Sequence, residues 1–141
     1  MDARVVRFAE MAVVDRGNGV RTTALVSSAL GSEELTTGVT TLQPGAEIRL
    51  HSHNCDESDC VLEGTVTFEA GGQRHPLSTF DSTFVPDGVP HRFVNESDRP
   101  ARILWIYTSG HVTRTFSETG QTVEVDSEVD HSIPLGEPAD H

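Results

Sequence analysis

The segment Gly45–Gly64 reads GAEIRLHSHNCDESDCVLEG and is the most informative part of the chain. In it His51 and His53 are two residues apart, and Glu57 follows after a gap long enough for the chain to turn. Residues two apart on a β-strand point to the same face of the sheet, so a strand here presents both imidazoles together. Two imidazoles and a carboxylate on a rigid sheet are ligands suited to a divalent transition metal.

A second segment, PDGVPHRFVN at residues 86–95, supplies a third imidazole. Pro86 and Gly88 favour a tight turn, and Pro90 forces the residue before it into an extended conformation. His91 therefore enters its own strand from a stiff corner. Aimed from a different strand, it completes a predicted site of three histidines and one carboxylate.

Outside these segments, short strand-like runs separated by Gly, Pro, Asn and Asp recur along the chain. Their spacing of about 8–12 residues is typical of an all-β sandwich or closed barrel. At most one helix fits, and the best candidate is a turn at residues 8–12. The predicted strands cover residues 4–8, 20–27, 35–42, 48–53, 58–63, 65–69, 84–85, 91–94, 102–107, 112–116 and 121–125.

The two motif segments together resemble the cupin family. The first cupin motif, G-x5-H-x-H-x3-E-x6-G, is matched at every spacing by Gly45, His51, His53, Glu57 and Gly64. The end of the second motif, P-x-G-x2-H-x3-N, is matched by Pro86, Gly88, His91 and Asn95. That motif usually opens with Gly, but Phe80 stands there in this chain. The difference predicts a departure in the local turn and none in the metal site.

The resemblance implies an all-β jelly-roll barrel that holds one divalent transition metal between two sheets. Fe2+ is the favoured metal, and Mn2+, Ni2+, Zn2+ and Cu2+ are alternatives. The resemblance also implies a homodimer in which the terminal strands pack against the partner subunit. The metal ligands that it assigns are His51, His53, Glu57 and His91.

Length and charge set limits on the domain organisation and the partners. The 141 residues suit a single domain, with a barrel at 1–130, its motifs at 45–64 and 80–95, and a loose acidic tail at 131–141. The net charge is −12 and all ten basic residues are Arg, so neither nucleic acid nor an anionic membrane is an expected partner. Because no apolar segment resembles a signal peptide or a membrane span, the sequence predicts a cytoplasmic protein.

Strand alternation also predicts two charged residues inside the barrel. It places Arg49 on the face of His51, and Asp59 on the face of Glu57. A buried charge is costly unless it is paired or used. Either the two residues neutralise each other as an internal ion pair, or both are catalytic. In the second case Arg49 binds a substrate carboxylate, and Asp59 acts as a general base or orients a metal-bound water.

Four further residues near the motifs have two interpretations each. Cys55 and Cys60 are favoured as ordinary packing residues, and the alternative is a structural zinc site with His51 or His53. Trp105 and Tyr107 are favoured as core or dimer packing, and the alternative is a platform for substrate.

Three functions are compatible with this site, because the fold alone does not fix the reaction. The first is an Fe(II)-type dioxygenase acting on a small organic acid or enol. The second is a metal-dependent decarboxylase, isomerase, cyclase or lyase without redox chemistry. The third is a non-catalytic cupin that binds a small molecule. In each case the expected partner is a small molecule, with a carboxylate if Arg49 binds it.

Overall fold

The protein folds almost entirely as β-strands, as seen in a computed structural model that describes residues 2–136. Within that range the helical elements are α1 (Glu128–Ser132) and two 3-10 turns, Phe8–Glu10 and Ser28–Leu30. No helix among the described residues has the length and apolarity needed to cross a membrane. The strands are β1 (Val14–Asp15), β2 (Val20–Val26), β3 (Thr36–Leu42), β4 (Glu47–His53), β5 (Glu57–Glu63), β6 (Val66–Ala70), β7 (Gln73–Leu77), β8 (His91–Val94), β9 (Ala101–Tyr107), β10 (Thr113–Phe116) and β11 (Thr122–Glu124).

These strands form two antiparallel sheets. One sheet has five strands in the order β1-β2-β3-β9-β5, and the other has six in the order β11-β10-β4-β8-β6-β7. Strands distant in sequence lie side by side, since β9 pairs with both β3 and β5, and β4 pairs with β10 and β8. The predicted all-β jelly-roll architecture is therefore confirmed.

Apolar side chains from both sheets fill most of the space between them. Fully burying one aliphatic or aromatic side chain stabilises the fold by about 1.5–3 kcal/mol, so this core is the main source of stability. A smaller apolar cluster around Trp105 and Tyr107 packs beside the buried histidines. The main core includes Val20, Leu42, Ile48, Val61, Val66, Phe68, Phe93, Ile103, Phe116 and Leu135.

A β-bulge in β4 decides which of its residues reach the interior. Ile48 pairs with Phe93 and His51 pairs with His91. Between these two pairs β4 advances by three residues, whereas β8 advances by two. The extra residue breaks the alternation of side chains. As a result Ile48 and His51 both border the interior cavity, and Arg49 falls in the bulge. The prediction that Arg49 shares the inner face of His51 is therefore wrong.

The chain ends described here differ from what the sequence suggested. Residues 4–8 form no strand, and the turn at Phe8–Glu10 lies within the predicted helical segment. Residues 131–136 pack against the barrel instead of being loose, since Leu135 is 1% exposed and its carbonyl accepts a 2.8 Å hydrogen bond from the Arg49 amide. Residues 137–141 lie outside the described residues, and the domain boundary at residue 130 stays a prediction.

Phe80 adopts the backbone conformation in which glycine is usual. Its φ is +73°, a region that costs a bulky residue on the order of 1–3 kcal/mol. Its amide donates a 2.7 Å hydrogen bond to the Val61 carbonyl, and its side chain is 77% exposed. The chain beyond it then runs along the edge of β5, where Val85 and Glu57 exchange backbone hydrogen bonds. Phe80 therefore holds a left-handed turn without a glycine at this position.

Candidate metal centre

Three histidines from two adjacent strands meet in the interior. His51 and His53 lie on β4, and His91 begins β8, which pairs with β4. Their ligand nitrogens all lie within 4.8 Å of one another. The three residues are only 3%, 4% and 0% exposed. The predicted histidine cluster is therefore present, and it is shielded from bulk water.

Each imidazole is held in one orientation by a backbone carbonyl. A carbonyl oxygen can only accept a hydrogen bond, so each Nδ1 carries the proton and each Nε2 offers a lone pair to the cluster. This is the usual support of a metal-binding histidine. The Nδ1 atoms of His51, His53 and His91 lie 2.7, 3.0 and 3.0 Å from the carbonyl oxygens of Arg49, Thr113 and Val89.

Glu57 reaches the cluster from the facing sheet. Its Oε1 lies 2.8 Å from Nε2 of His91 and 3.6 Å from Nε2 of His53. Despite the short distance, none of these three atoms has a hydrogen bond of acceptable geometry among the described residues. Lone pairs therefore face one another, and buried polar atoms left this way are costly. A divalent cation would satisfy all three at once, so this donor set fits a metal.

Burial shifts the pKa values of the site toward the neutral forms. Burial first, and then nearby positive charge, lowers the pKa of His51 and His53 well below 6.5. Burial raises the pKa of Glu57 from 4.5 to about 7. Neutral imidazole is the form that binds metals. Glu57 is then the ligand that must lose a proton on binding near neutral pH.

Asp59 lies beside Glu57 on the inner face, as strand alternation predicted. It is 3% exposed, its carboxyl lies close to that of Glu57, and Thr83 Oγ1 donates to its Oδ2 at 3.0 Å. Burial and the charge of Glu57 raise the pKa of Asp59 well above its ordinary value. A raised pKa favours the protonated carboxyl of Asp59, which can donate a proton. The roles predicted from the sequence were a general base or a group that orients a metal-bound water.

A buried ion cluster that the sequence analysis missed lies near the site. Asp130 of α1 is 0% exposed, Arg16 Nη2 lies 3.1 Å from its Oδ1, and Arg114 donates to the same oxygen. Arg114 is on β10 directly opposite His53, and it lies close to Tyr107. Arg16 lies in a predicted turn and Arg114 in one of the terminal predicted strands, so the sequence pattern marks neither as a site residue.

A cavity of about 30 Å³ borders both groups of residues. A buried water needs about 10–15 Å³, so this space holds roughly two waters. From the metal site the lining includes His51, Glu57 and Asp59. From the ion cluster it includes Arg16, Arg114 and Asp130.

Arg49 does not reach this cavity. Its guanidinium lies 4.3 Å from the centre of the Phe116 ring, and its carboxylate partner is Glu118 at 4.0 Å. The ion-pair interpretation required Arg49 beside Asp59, and no such pair is found in the described part of the chain. The catalytic interpretation required Arg49 to face the interior of the barrel, and it does not line the cavity. The arginines that do border the cavity with Asp59 are Arg16 and Arg114.

Trp105 and Tyr107 form an aromatic wall of the cavity. Their rings stack with centroids 5.1 Å apart, and Tyr107 contacts the His53 ring at 4.6 Å. Trp105 packs against Gly38 on the paired strand, where a Cβ would come within 2.1 Å of the indole. They therefore face the interior of the barrel, near the site.

The cysteines do not join the cluster. Cys55 and Cys60 are free thiols, and the group of potential metal ligands found in residues 2–136 comprises the three histidines. Burial raises the pKa of the Cys55 thiol, which disfavours the thiolate form that binds zinc. The alternative of a zinc–thiolate site therefore has no support, and packing is the role that fits Cys55.

With this fold and site described, the chain is found to belong to the cupin family. Residues 38–107 match the family model described as the cupin domain. Protein SchB of Streptomyces halstedii is 30% identical over 104 residues, which cover 73% of this chain and 75% of SchB. Polyketide synthase CurC of Streptomyces cyaneus is 28% identical over 74% of this chain and 69% of CurC. The HTH-type transcriptional regulator PuuR of Escherichia coli is 33% identical over 75% of this chain but only 49% of PuuR.

Solved structures show the same fold at lower identity. A sugar phosphate isomerase of a cupin superfamily from Silicibacter pomeroyi has a TM-score of 0.72 and 24% identity, covering 88% of each chain. The polyketide cyclase RemF of Streptomyces resistomycificus has a TM-score of 0.69 and 18% identity, covering 94% of this chain and 92% of RemF. A predicted oxalate decarboxylase of Thermotoga maritima has a TM-score of 0.65 and 24% identity, covering 75% and 99%.

Metal affinity is expected to depend on pH through Glu57. With its pKa raised to about 7, Glu57 is protonated below that pH and the proton must leave when a metal binds. The apparent affinity should therefore rise about tenfold per pH unit between pH 5.5 and 7, and level off above pH 7. A chelator competition titration at several pH values measures this slope. Glu57→Gln should bind more weakly and lose the slope. A slope retained in Glu57→Gln would show that the released proton comes from another group.

Proposed function

We propose that this protein is a metal-dependent enzyme that catalyses proton-transfer chemistry without redox on a small enol or carboxylate-bearing substrate. The observation that carries the proposal is Asp59, a buried carboxyl with a raised pKa that borders the cavity beside a candidate metal ligand. Isomerisation, decarboxylation and aldol-type cyclisation all need a proton delivered to, or removed from, a carbon or oxygen next to a carbonyl.

Each part of the site has a role in this proposal. His51, His53, Glu57 and His91 would hold a divalent metal, which supplies Lewis acidity toward a carbonyl or enol oxygen. Asp59 donates a proton to one position of the substrate. The carboxylate that remains takes up a proton from another position of the substrate or, after loss of CO2, from solvent when the product leaves. The aromatic wall and the burial of the site exclude water, so the proton is exchanged with the substrate rather than with solvent.

The comparisons favour this class over the dioxygenase expected from the sequence. The similar proteins include ones named as an isomerase, a decarboxylase and a polyketide cyclase. An Fe(II) dioxygenase has no specific support among them. Since the proposed chemistry needs only Lewis acidity, Zn2+ or Ni2+ would serve as well as Fe2+.

The test uses metal-loaded protein and a panel of enolisable β-keto acids and hydroxy acids in D2O. NMR follows deuterium uptake, loss of CO2 and cyclisation, and an oxygen electrode monitors the same samples. We expect turnover without oxygen uptake. Turnover coupled to oxygen uptake would support the dioxygenase predicted from the sequence and contradict the proposal.

Asp59→Asn is expected to lower kcat by about a hundredfold or more while the metal content stays unchanged, since a positioned proton donor contributes at least that factor. Glu63→Gln is the matched control, because Glu63 lies on the same strand but its side chain is 62% exposed. Its kcat should stay at the wild-type value. An unchanged kcat in Asp59→Asn would leave Asp59 with a structural role only.

A binding module without catalysis is the second candidate, and the similarity to a transcriptional regulator favours it. It predicts that members of the panel bind with no turnover of any kind. Calorimetric titration of the same panel separates the two candidates, because an enzyme changes its ligand during the titration.

We also propose that the protein is a homodimer built on the outer face of the five-stranded sheet. Trp105 faces the interior, so its neighbours Leu104 and Ile106 face outward, yet both are apolar. Val5 and Phe8 of the N-terminal segment add exposed apolar surface at 78% and 40% exposure. Apolar surface of this kind is typical of a contact between subunits.

Light scattering at micromolar concentration should therefore give about twice the monomer mass of 15.3 kDa. Leu104→Glu should halve that value, because a charge at the buried centre of an interface is strongly unfavourable. Leu50→Glu, at an exposed position on the six-stranded sheet, is the control and should remain dimeric. A monomer mass for the wild-type chain would rule out the dimer.

A further inference from the structure

Arg114 has the position of a ligand-binding residue rather than of a purely structural one. It is 5% exposed, lines the cavity with Asp59, and stands opposite His53 on the neighbouring strand. It donates to Asp130 and lies close to Tyr107, and its Nε, like that of Arg16, has no hydrogen-bond partner among residues 2–136. A buried guanidinium with a free N–H is poised to accept another anionic group.

Arg16 differs from Arg114 in what it binds. Its Nη1 and Nη2 donate to both carboxylate oxygens of Asp130, and Nη2 also contacts the backbone carbonyls of Asp130 and Ile133. All of these groups belong to α1 and the residue that follows it. Arg16 therefore anchors the C-terminal segment, while Arg114 connects that segment to the metal site.

The cavity is too small for a substrate larger than a few atoms while α1 is in place. Its volume is about 30 Å³, and Asp126 and Asp130 form part of its lining. Asp130 presents a carboxylate to Arg114 from inside the protein, which is the geometry a substrate carboxylate would adopt. A substrate that supplied its own carboxylate could take this place and free the space that Asp130 occupies.

We infer that Arg114 is the substrate-binding arginine of this site and that Asp130 occupies the position of the substrate carboxylate until ligand binds. The inference rests on the proposed function and adds the substrate class, which is a small dicarboxylate or keto acid. One oxygen group faces the candidate metal ligands, and a second carboxylate pairs with Arg114. Displaced Asp130 remains close to Arg16, and α1 loosens from the barrel.

The test compares malonate and acetate as probes of the zinc-loaded protein by calorimetry. Both offer a carboxylate to the metal, but only malonate has a second one for Arg114. Arg114→Gln should weaken malonate binding at least tenfold and change acetate binding less than twofold. Arg16→Gln removes the same charge from the same carboxylate partner, yet it should tighten malonate binding severalfold because Asp130 is held less firmly. Asp130→Asn should tighten it as well.

Hydrogen exchange supplies a second readout that a structural role would not produce. Malonate should speed up amide exchange in residues 128–136, whereas most ligands slow exchange near their site. Near-UV circular dichroism checks that each variant is folded, and Arg114→Lys replaces Arg114→Gln if that variant is not. Arg114→Lys keeps the charge but loses the forked geometry, so it should also weaken malonate binding.

The outcomes separate this inference from the proposed function. A wild-type chain that binds no zinc contradicts the proposed function, and malonate titration of the chelator-treated protein then still tests the dependence on Arg114. Equal effects of Arg114→Gln and Arg16→Gln on malonate overturn the inference. So does equal weakening of acetate and malonate in Arg114→Gln, or a failure of malonate to bind Asp130→Asn.

Discussion

Replacing either His53 or His91 with Ala is expected to strip the metal from the purified protein. Apparent binding energies of four-ligand zinc sites are about 10–16 kcal/mol, so one ligand contributes roughly 3 kcal/mol, or about a hundredfold in affinity. The loss should be larger here because Glu57 contacts both Nε2 atoms and would keep an unpaired buried carboxyl. Elemental analysis after dialysis and a chelator competition titration measure the effect.

Two other histidines provide matched controls for this experiment. His75 and His111 are exposed and lie outside the cluster, so their Ala variants should retain close to one metal per chain. Circular dichroism should show that the site variants remain folded, because the apolar core does not include these ligands. Full metal content in both His53→Ala and His91→Ala would contradict the metal centre.

The histidine cluster could be predicted from the sequence because its geometry is mostly local. His51 and His53 share a face through simple alternation, and Pro90 sets the entry of His91 into its strand. Asp59 follows the same rule from Glu57. None of these placements depends on knowing which strands pair.

Arg49 was misplaced because the bulge in β4 depends on a pairing that is distant in sequence. Alternation holds from His51 to His53 but fails between Ile48 and His51, where β4 gains one residue relative to β8. Nothing in the residue types from 48 to 51 marks the bulge. One form of bulge has a glycine at its first position, and residues 48–51 include no glycine.

The C-terminal segment was misread because its composition suggested solvent. Acidic residues without a nearby Arg usually form an exposed flank, but the partners of Asp130 are Arg16 and Arg114, and Arg16 is 114 positions away. The start of α1 does have a local signal in the sequence. Ser127 caps α1 by accepting the Asp130 amide, and acidic residues occupy the first turn, which is a typical helix start.

Asp130→Asn is expected to destabilise the folded protein by about 3–5 kcal/mol, the usual effect of breaking a buried ion pair from one side. The substitution leaves Arg16 and Arg114 as two buried positive charges next to each other. Because Asp130 anchors α1, Leu135 should also be exposed more often. Urea unfolding followed by circular dichroism gives the change in unfolding free energy.

The control and the pH dependence of this effect both follow from burial. Asp126→Asn removes a charge from the same segment but from an exposed pair with His131, so it should change stability by less than about 1 kcal/mol. Burial alone would raise the pKa of Asp130, but Arg114 and Arg16 outweigh it and hold that pKa below 3.8. A lowered pKa stabilises the fold above pH 3.8 and ceases to do so as the pH falls below it. The wild-type and Asp130→Asn stabilities should therefore converge in strong acid, and a constant difference would show that lost packing is the cause.

Replacing all three charged residues of the cluster with apolar ones should affect stability differently from replacing Asp130 alone. In the triple variant Arg16→Met, Arg114→Met and Asp130→Leu, no charge is left unpaired, and apolar replacements of buried ion pairs are often neutral or stabilising by about 1–4 kcal/mol. We therefore expect a stability near or above that of the wild-type chain, together with malonate binding no stronger than that of acetate. That combination would mean that the three charged residues are needed for malonate binding and not for folding. A triple variant as unstable as Asp130→Asn would instead assign the cluster to the stability of the barrel.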